Sequence, residues 1–101
     1  MSDEVPVACC LSDEELRNRE ATLLAQFKSA VVATEQLADG YAFQVPGDKK
    51  SLALVLDLIL AERECCPFLM FQFTAAPKMG ATTLRVTGPA GTKEFLRTIL
   101  L

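Results

Sequence analysis

The turn pair Asp39-Gly40, with apolar segments on both sides, restricts the fold more than any other feature of the sequence. After the turn, residues 41–45 alternate between large apolar and smaller or polar side chains, which is typical of a strand with one buried face. The β-branched residues among positions 31–34 predict the partner strand. Because a turn this short joins strands that run antiparallel, this part of the chain is expected to form an antiparallel sheet.

Helix signals lie before, between and after the strand segments. A capping box at Ser12–Glu15 predicts the start of a first helix. A second helix is predicted from Lys49 to about Glu64, and a third after the Gly-Pro pair that ends at Pro89. We expect Pro89 at the first helical position, where its missing N–H and fixed φ cost nothing.

A second pair of strands is predicted over Phe68–Ala75 and through Leu84 and Val86, with a loop at Pro77–Ala81 between them. The predicted order is helix, hairpin, helix, hairpin, helix. We therefore predict an α+β fold in which helices pack on a four-stranded antiparallel sheet. The chain has 101 residues and is 50% hydrophobic, so residues 1–101 are expected to form a single α+β domain around one core.

Composition argues against several classes of function. Ten basic residues face thirteen acidic ones, a net charge of −3, so nucleic-acid binding and attraction to anionic membranes are not expected. Histidine is absent, which excludes Ser-His, Cys-His and His-carboxylate catalysis. An enzymatic function is therefore the less favoured prediction. The first ten residues, MSDEVPVACC, lack the basic start of a signal peptide, and the apolar run Leu52–Ala61 is too short to cross a bilayer. We predict a cytoplasmic protein.

Two pairs of adjacent cysteines, Cys9-Cys10 and Cys65-Cys66, carry the strongest chemical signal. The α-carbons of adjacent residues are about 3.8 Å apart, too close for an unstrained disulfide within a pair. A bridge between the two pairs could form, but a reducing cytoplasm disfavours its persistence. Thiolates select soft ions such as Cu(I), Hg(II) and trivalent arsenic. Without a C-x-x-C motif or a histidine, a structural zinc site is not predicted.

Three segments of the chain together resemble a group of small, largely uncharacterised bacterial proteins: "CCLSDEELRNR", "AERECCPFLMFQF" and "TLRVTGPAGTKEFL". Members are sometimes associated with mercury-resistance genes, so the resemblance implies thiol ligation of a heavy metal. It places Cys9 at the opening cysteine, Cys65 and Cys66 at the central pair, and Cys10 at a variable position. Three thiols would suit a trigonal sulfur site, provided that the start of the first helix lies near the end of the second.

We therefore predict a thiol-based binding protein that holds a soft metal or metalloid ion through Cys9, Cys65 and Cys66, with no other cofactor. Two alternatives remain open. The cysteines could be core residues of a non-catalytic interaction module. The chain could instead be a thiol redox protein, with Cys66 or Cys65 as nucleophile and Cys9 as resolving partner. The second helix is apolar over most of its circumference, which predicts a homodimer, whereas residues 62–64 are expected to be a solvated helix end.

Overall fold

A computed structural model describes residues 14–101, apart from the side chain of Leu16. Its α+β class and its four-stranded antiparallel sheet confirm those two predictions. Among the described residues the elements are, in chain order, α1 Glu14–Ala30, β1 Ala33–Leu37, β2 Gly40–Val45, α2 Lys49–Cys65, β3 Met70–Ala75, β4 Thr82–Thr87 and α3 Thr92–Leu100.

The sheet has the strand order β1-β2-β4-β3, with every neighbouring pair antiparallel. The two hairpins therefore join through β2 and β4, and Phe43 lies opposite Leu84 at the centre of that pairing. Gly40 begins β2 where a Cβ would overlap the carbonyl oxygen of Val86. The glycine after the turn is thus needed for the close approach of β2 to β4.

One face of the sheet carries the core. Alternate residues of β2 and β4 are buried on this face, and the helices cover it. Phe27 of α1 meets Phe43 edge-to-face, with ring centroids 5.5 Å apart. The fully buried apolar side chains of this main core are Phe27, Phe43, Val45, Val55, Leu58, Leu84, Val86 and Leu96.

Three boundaries differ from the sequence-based expectation. The two turn residues of the first strand pair are Ala38 and Asp39, not Asp39 and Gly40, because Gly40 already pairs with Leu37. The last helix begins at Thr92, three residues after Pro89, because the carbonyl of Pro89 accepts a hydrogen bond from the Thr92 N–H at 3.1 Å in a turn. The third strand begins at Met70 and not at Phe68. The buried side chain of Phe68 packs with Cys65 and Cys66. The predicted capping box at Ser12 lies outside the described residues.

Helices α1 and α2 pack against each other and run in opposite directions. The acidic residue Glu20, early in α1, lies beside Glu62 near the end of α2. A groove farther along is lined by Ser29, from the end of α1, and by Lys50, from the start of α2. The antiparallel arrangement therefore brings the beginning of α1 to the cysteine-bearing end of α2.

Candidate metal site

The end of α2 fixes the backbone of both cysteines. Cys65 is the last helical residue, and the Cys66 N–H donates to the Glu62 carbonyl at 2.6 Å. Pro67 disfavours helical geometry at the residue before it, and Cys66 accordingly leaves the helix with φ −125° and ψ 75°. The Cys66 carbonyl then accepts from the Leu69 N–H at 3.1 Å. Backbone hydrogen bonds on both sides of Pro67 thus fix the conformation of the chain where it leaves the helix.

A stripe of buried residues runs along α2 and includes an acid. Its members are spaced three or four residues apart, the spacing of one helix face: Val55, Leu58, Glu62 and Cys65. Glu62 is only 2% exposed, so the expectation that it belongs to a solvated helix end is wrong. Arg63 and Glu64 point to solvent. Because of the helix periodicity, Glu62 lies on the buried face of α2 and its two charged neighbours lie on the exposed face.

Four side chains from the two helices converge at this point. One ligand atom from each of Glu20, Glu62, Cys65 and Cys66 lies within 4.8 Å of all the others. We call these four residues the Cys–Glu cluster. Glutamate oxygens and cysteine sulfurs are both metal ligands, so the cluster could hold a metal ion.

The carboxyl groups of the Cys–Glu cluster resist ionisation. Burial raises the pKa of Glu62, the Cys66 thiol that faces it lowers that pKa, and the nearby Glu20 raises it further, to about 7 overall. Burial likewise raises the pKa of Glu20, with an opposing contribution from Glu62. Within residues 14–101, no Lys or Arg contributes to either shift. The two acids therefore face each other without a compensating cation.

Several oxygens of the cluster are buried without a hydrogen-bond partner. Both carboxyl oxygens of Glu62 and Oε2 of Glu20 are in this position by bond geometry, although the Cys66 thiol and the two acids come close enough for hydrogen bonding to influence the two pKa values. Leaving a buried polar atom unsatisfied costs on the order of 1–3 kcal/mol, so such groups are uncommon in folded proteins. The carboxylates are consequently placed as acceptors for a positively charged group.

Aromatic side chains close the other side of the cysteine pair. Cys65, Cys66 and Phe68 form a small buried cluster of their own, and Phe68 meets Phe95 of α3 edge-to-face at 5.1 Å. The position of α3 is in turn fixed by Arg97, whose Nε donates to the hydroxyl of Tyr41 in β2 at 2.9 Å. The sulfurs therefore lie between an apolar wall and the two carboxyl groups.

The two described cysteines differ in oxidation state. Cys65 is disulfide-bonded. Cys66 is a buried thiol. The sequence-based expectation of reduced cysteines therefore does not describe Cys65 in this structure. In this state the cluster offers one thiol sulfur, and reduction would add the second.

Two of the three predicted site residues are among the described residues. Cys65 and Cys66 lie together at the helix exit, whereas Cys9 lies outside the described residues, so its predicted approach to the pair stays a prediction. Sequence reasoning missed both glutamates. Glu62 follows Leu58 by four positions, and Glu20 precedes Leu23 by three, so each acid continues an apolar stripe. An acid on an apolar stripe was the signal that could have identified them.

No protein-family model, curated protein or solved structure matches the chain. Among residues 14–101, no helix is both long enough and apolar enough to cross a membrane.

Proposed function

We propose that the protein binds a soft metal or metalloid ion, of the mercury, arsenic or copper class, through Cys65 and Cys66. The observation that supports this most is the convergence of the two cysteines with two buried acids, all four ligand atoms within 4.8 Å of one another. A cysteine pair in a purely structural role needs no acids beside it. Cys9, as a third thiolate, would complete a trigonal site for arsenic.

The form that binds is the reduced one. A disulfide sulfur is a poor ligand, whereas a thiolate is the donor that soft ions select. Two electrons and two protons from an external thiol or phosphine convert the disulfide of Cys65 into two thiols. We therefore place the function in a reducing compartment, the cytoplasm, where thiols persist.

Glu20 provides the route by which an ion reaches the sulfurs. Cys65, Cys66 and Glu62 are almost completely buried, but Glu20 is only half-buried. We propose that an ion enters beside Glu20, the least buried member of the Cys–Glu cluster, and passes inward to the thiolates. Such a path suits a protein that takes up an ion and later releases it to another thiol.

A titration of the reduced protein with Hg(II) and with As(III) tests the proposal, followed by sulfur-to-metal charge-transfer absorption. We expect one tightly bound ion per chain, and loss of the signal in the Cys65→Ser/Cys66→Ser variant. Cys10→Ser is the matched control, since Cys10 is not a predicted ligand, and Cys9→Ser tests the third thiolate. Because mercury binds most thiols, the stoichiometry and the response to As(III) decide whether the binding site is specific. Equal binding by the double variant would refute the site.

The second candidate function is thiol redox chemistry, which is favoured by the disulfide at Cys65 beside the thiol of Cys66. Equilibration with glutathione buffers measures the reduction potential of that disulfide. Redox-active disulfides have potentials of about −120 to −270 mV, whereas structural ones lie below about −300 mV. A value in the first range, with weak metal binding, would favour the redox function over ion binding.

The third candidate is an interaction module, favoured by an exposed apolar surface on α2. Leu56 and Leu60 are 50% and 64% exposed on the outer side of this helix. We propose that a second copy of the chain covers them in a homodimer. The oligomeric state in solution, measured by light scattering, decides whether the dimer exists.

A further inference from the structure

We infer that the Cys–Glu cluster is a mixed sulfur–oxygen site that also binds divalent ions of the zinc and cadmium class. This inference rests on the proposed function and extends it from soft ions to ions of intermediate softness. It makes Glu62, and with it Glu20, a ligand that selects the ion.

The first argument is the position of Glu62. Glu62 is only 2% exposed, and its carboxyl oxygens approach the Cys66 thiol and Glu20 without good hydrogen-bond geometry. A buried carboxylate that is so weakly compensated is costly unless it is paired with a cation or coordinates a metal. Within residues 14–101 no basic side chain compensates it. A bound metal ion would supply the missing positive charge.

The second argument is the donor set. Two sulfurs and two carboxylates favour different ions: thiolates select soft ions, and carboxylates suit harder ones. Zn(II) lies between these extremes and binds both cysteine sulfur and glutamate oxygen, usually with four ligands in a tetrahedron. Hg(II) and Cu(I) gain most from sulfur alone. The carboxylates should therefore contribute to affinity for zinc-class ions and little to affinity for mercury.

The third argument is size. Tetrahedral bonds of about 2.0–2.3 Å keep ligand atoms about 3.3–3.8 Å apart. The four ligand atoms already lie within 4.8 Å of one another. A contraction of roughly 1 Å at the widest point would therefore bring the four atoms to tetrahedral spacing. The spacing of cysteine and histidine alone does not predict zinc, because the two acids of the site come from different helices.

Co(II), a visible-light probe for tetrahedral zinc sites, tests the inference on the reduced full-length protein. We expect d–d bands of tetrahedral intensity, a sulfur-to-cobalt charge-transfer band, and displacement of Co(II) by Zn(II). Replacing a second-sphere partner of a metal typically costs about 10- to 100-fold in affinity, so loss of a ligand in Glu62→Gln should weaken Co(II) and Zn(II) at least that much. Glu64→Gln, an exposed acid two positions away, is the matched control.

Hg(II) binding, measured in the same variants, separates this inference from the proposed function. If Glu62→Gln loses Co(II) but keeps Hg(II), the mixed site is supported. If Hg(II) binding depends on the cysteine pair but Co(II) does not bind, or if Glu62→Gln binds Co(II) as well as Glu64→Gln does, the inference is wrong and the proposed function stands. If neither ion depends on the cysteines, both are wrong.

X-ray absorption of the zinc-loaded wild-type protein keeps the test independent of the folding of any variant. We expect scattering from both sulfur and oxygen neighbours, close to two of each. A shell of sulfur neighbours only would overturn the inference.

Discussion

The main core and the Cys–Glu cluster are both largely buried, but the first consists of apolar side chains and the second of acids and cysteines. In the main core, edge-to-face rings such as Phe27 and Phe43 fill the space between helices and sheet. In the cluster, two acids and two cysteines converge where the beginning of α1 meets the end of α2. One region consists of apolar contacts, whereas the other contains buried carboxyl groups.

This difference shows where the fold is stabilised and where it is not. Apolar burial contributes about 25 cal/mol per Å², whereas buried unpaired carboxyl groups subtract from stability. The cluster is tolerable because Glu62 holds a proton more readily than a solvated acid, with a pKa of about 7. A chain selected for stability alone would carry apolar residues there, so the acids point to a function.

Phe43→Ala should produce the largest effect. Phe43 is 1% exposed at the centre of the main core, and truncating a buried phenylalanine costs about 3–5 kcal/mol. Urea unfolding of the reduced protein measures the loss. Val32→Ala, at a side chain that is 66% exposed, should change stability by less than about 0.5 kcal/mol. A loss below about 1 kcal/mol for Phe43→Ala would contradict the assignment of the main core.

Raising the pH should destabilise the metal-free, reduced protein through Glu62. Because the pKa of Glu62 is 4.5 in its ordinary state and about 7 in the fold, the folded state holds the proton more tightly. Its stabilising contribution is complete below about pH 4.5 and is lost as the pH rises through 7. The free energy of unfolding should fall by on the order of 3 kcal/mol between pH 5 and pH 8.

Urea unfolding at several pH values in the presence of a chelator checks this. Glu62→Gln should remove most of the slope, leaving the smaller part in the same direction due to Glu20, whose pKa is also raised. Glu64→Gln should keep the wild-type slope. An equal slope in Glu62→Gln and in the wild type would show that Glu62 is not the group responsible.

Binding of an ion should stabilise the cluster and leave the main core unchanged. With free Zn(II) at 100 times its dissociation constant, linkage predicts a gain of about 2.7 kcal/mol, seen as a higher melting temperature of the reduced protein. Cys65→Ser/Cys66→Ser should show no gain, whereas Phe43→Ala should show the full gain from its lower starting point. A gain of the same size in the cysteine variant would place the ion elsewhere.

The outer surface of α2 should give the smallest effect on stability. Leu56→Gln/Leu60→Gln replaces two exposed side chains, so unfolding should change by less than about 0.5 kcal/mol per residue at a concentration where the chain is monomeric. If these leucines form the dimer interface, light scattering at high concentration should show a dimer for the wild type and a monomer for the variant. A dimer in both would move the interface to another surface.

The α+β class and the antiparallel sheet could be predicted because turns and alternation act locally along the chain. The pairing of β2 with β4 could not, since it joins the two hairpins through distant segments. The end of α2 at the Cys-Cys-Pro step followed from the effect of Pro67 on the preceding residue. The burial of Glu62 could be predicted from the helix periodicity of α2. Its contact with Glu20 could not, because it depends on the direction in which α1 runs relative to α2.

The most direct test of the central claim is native mass spectrometry of the reduced protein after incubation with equal amounts of zinc, mercury and copper ions and excess glutathione. The measured mass identifies both the bound ion and the number of ions per chain. We expect one ion per chain, retained against glutathione in the wild type and absent in Cys65→Ser/Cys66→Ser. A metal-free mass for the wild type, or the same ion retained by the variant, would contradict the assignment of the Cys–Glu cluster as a metal site.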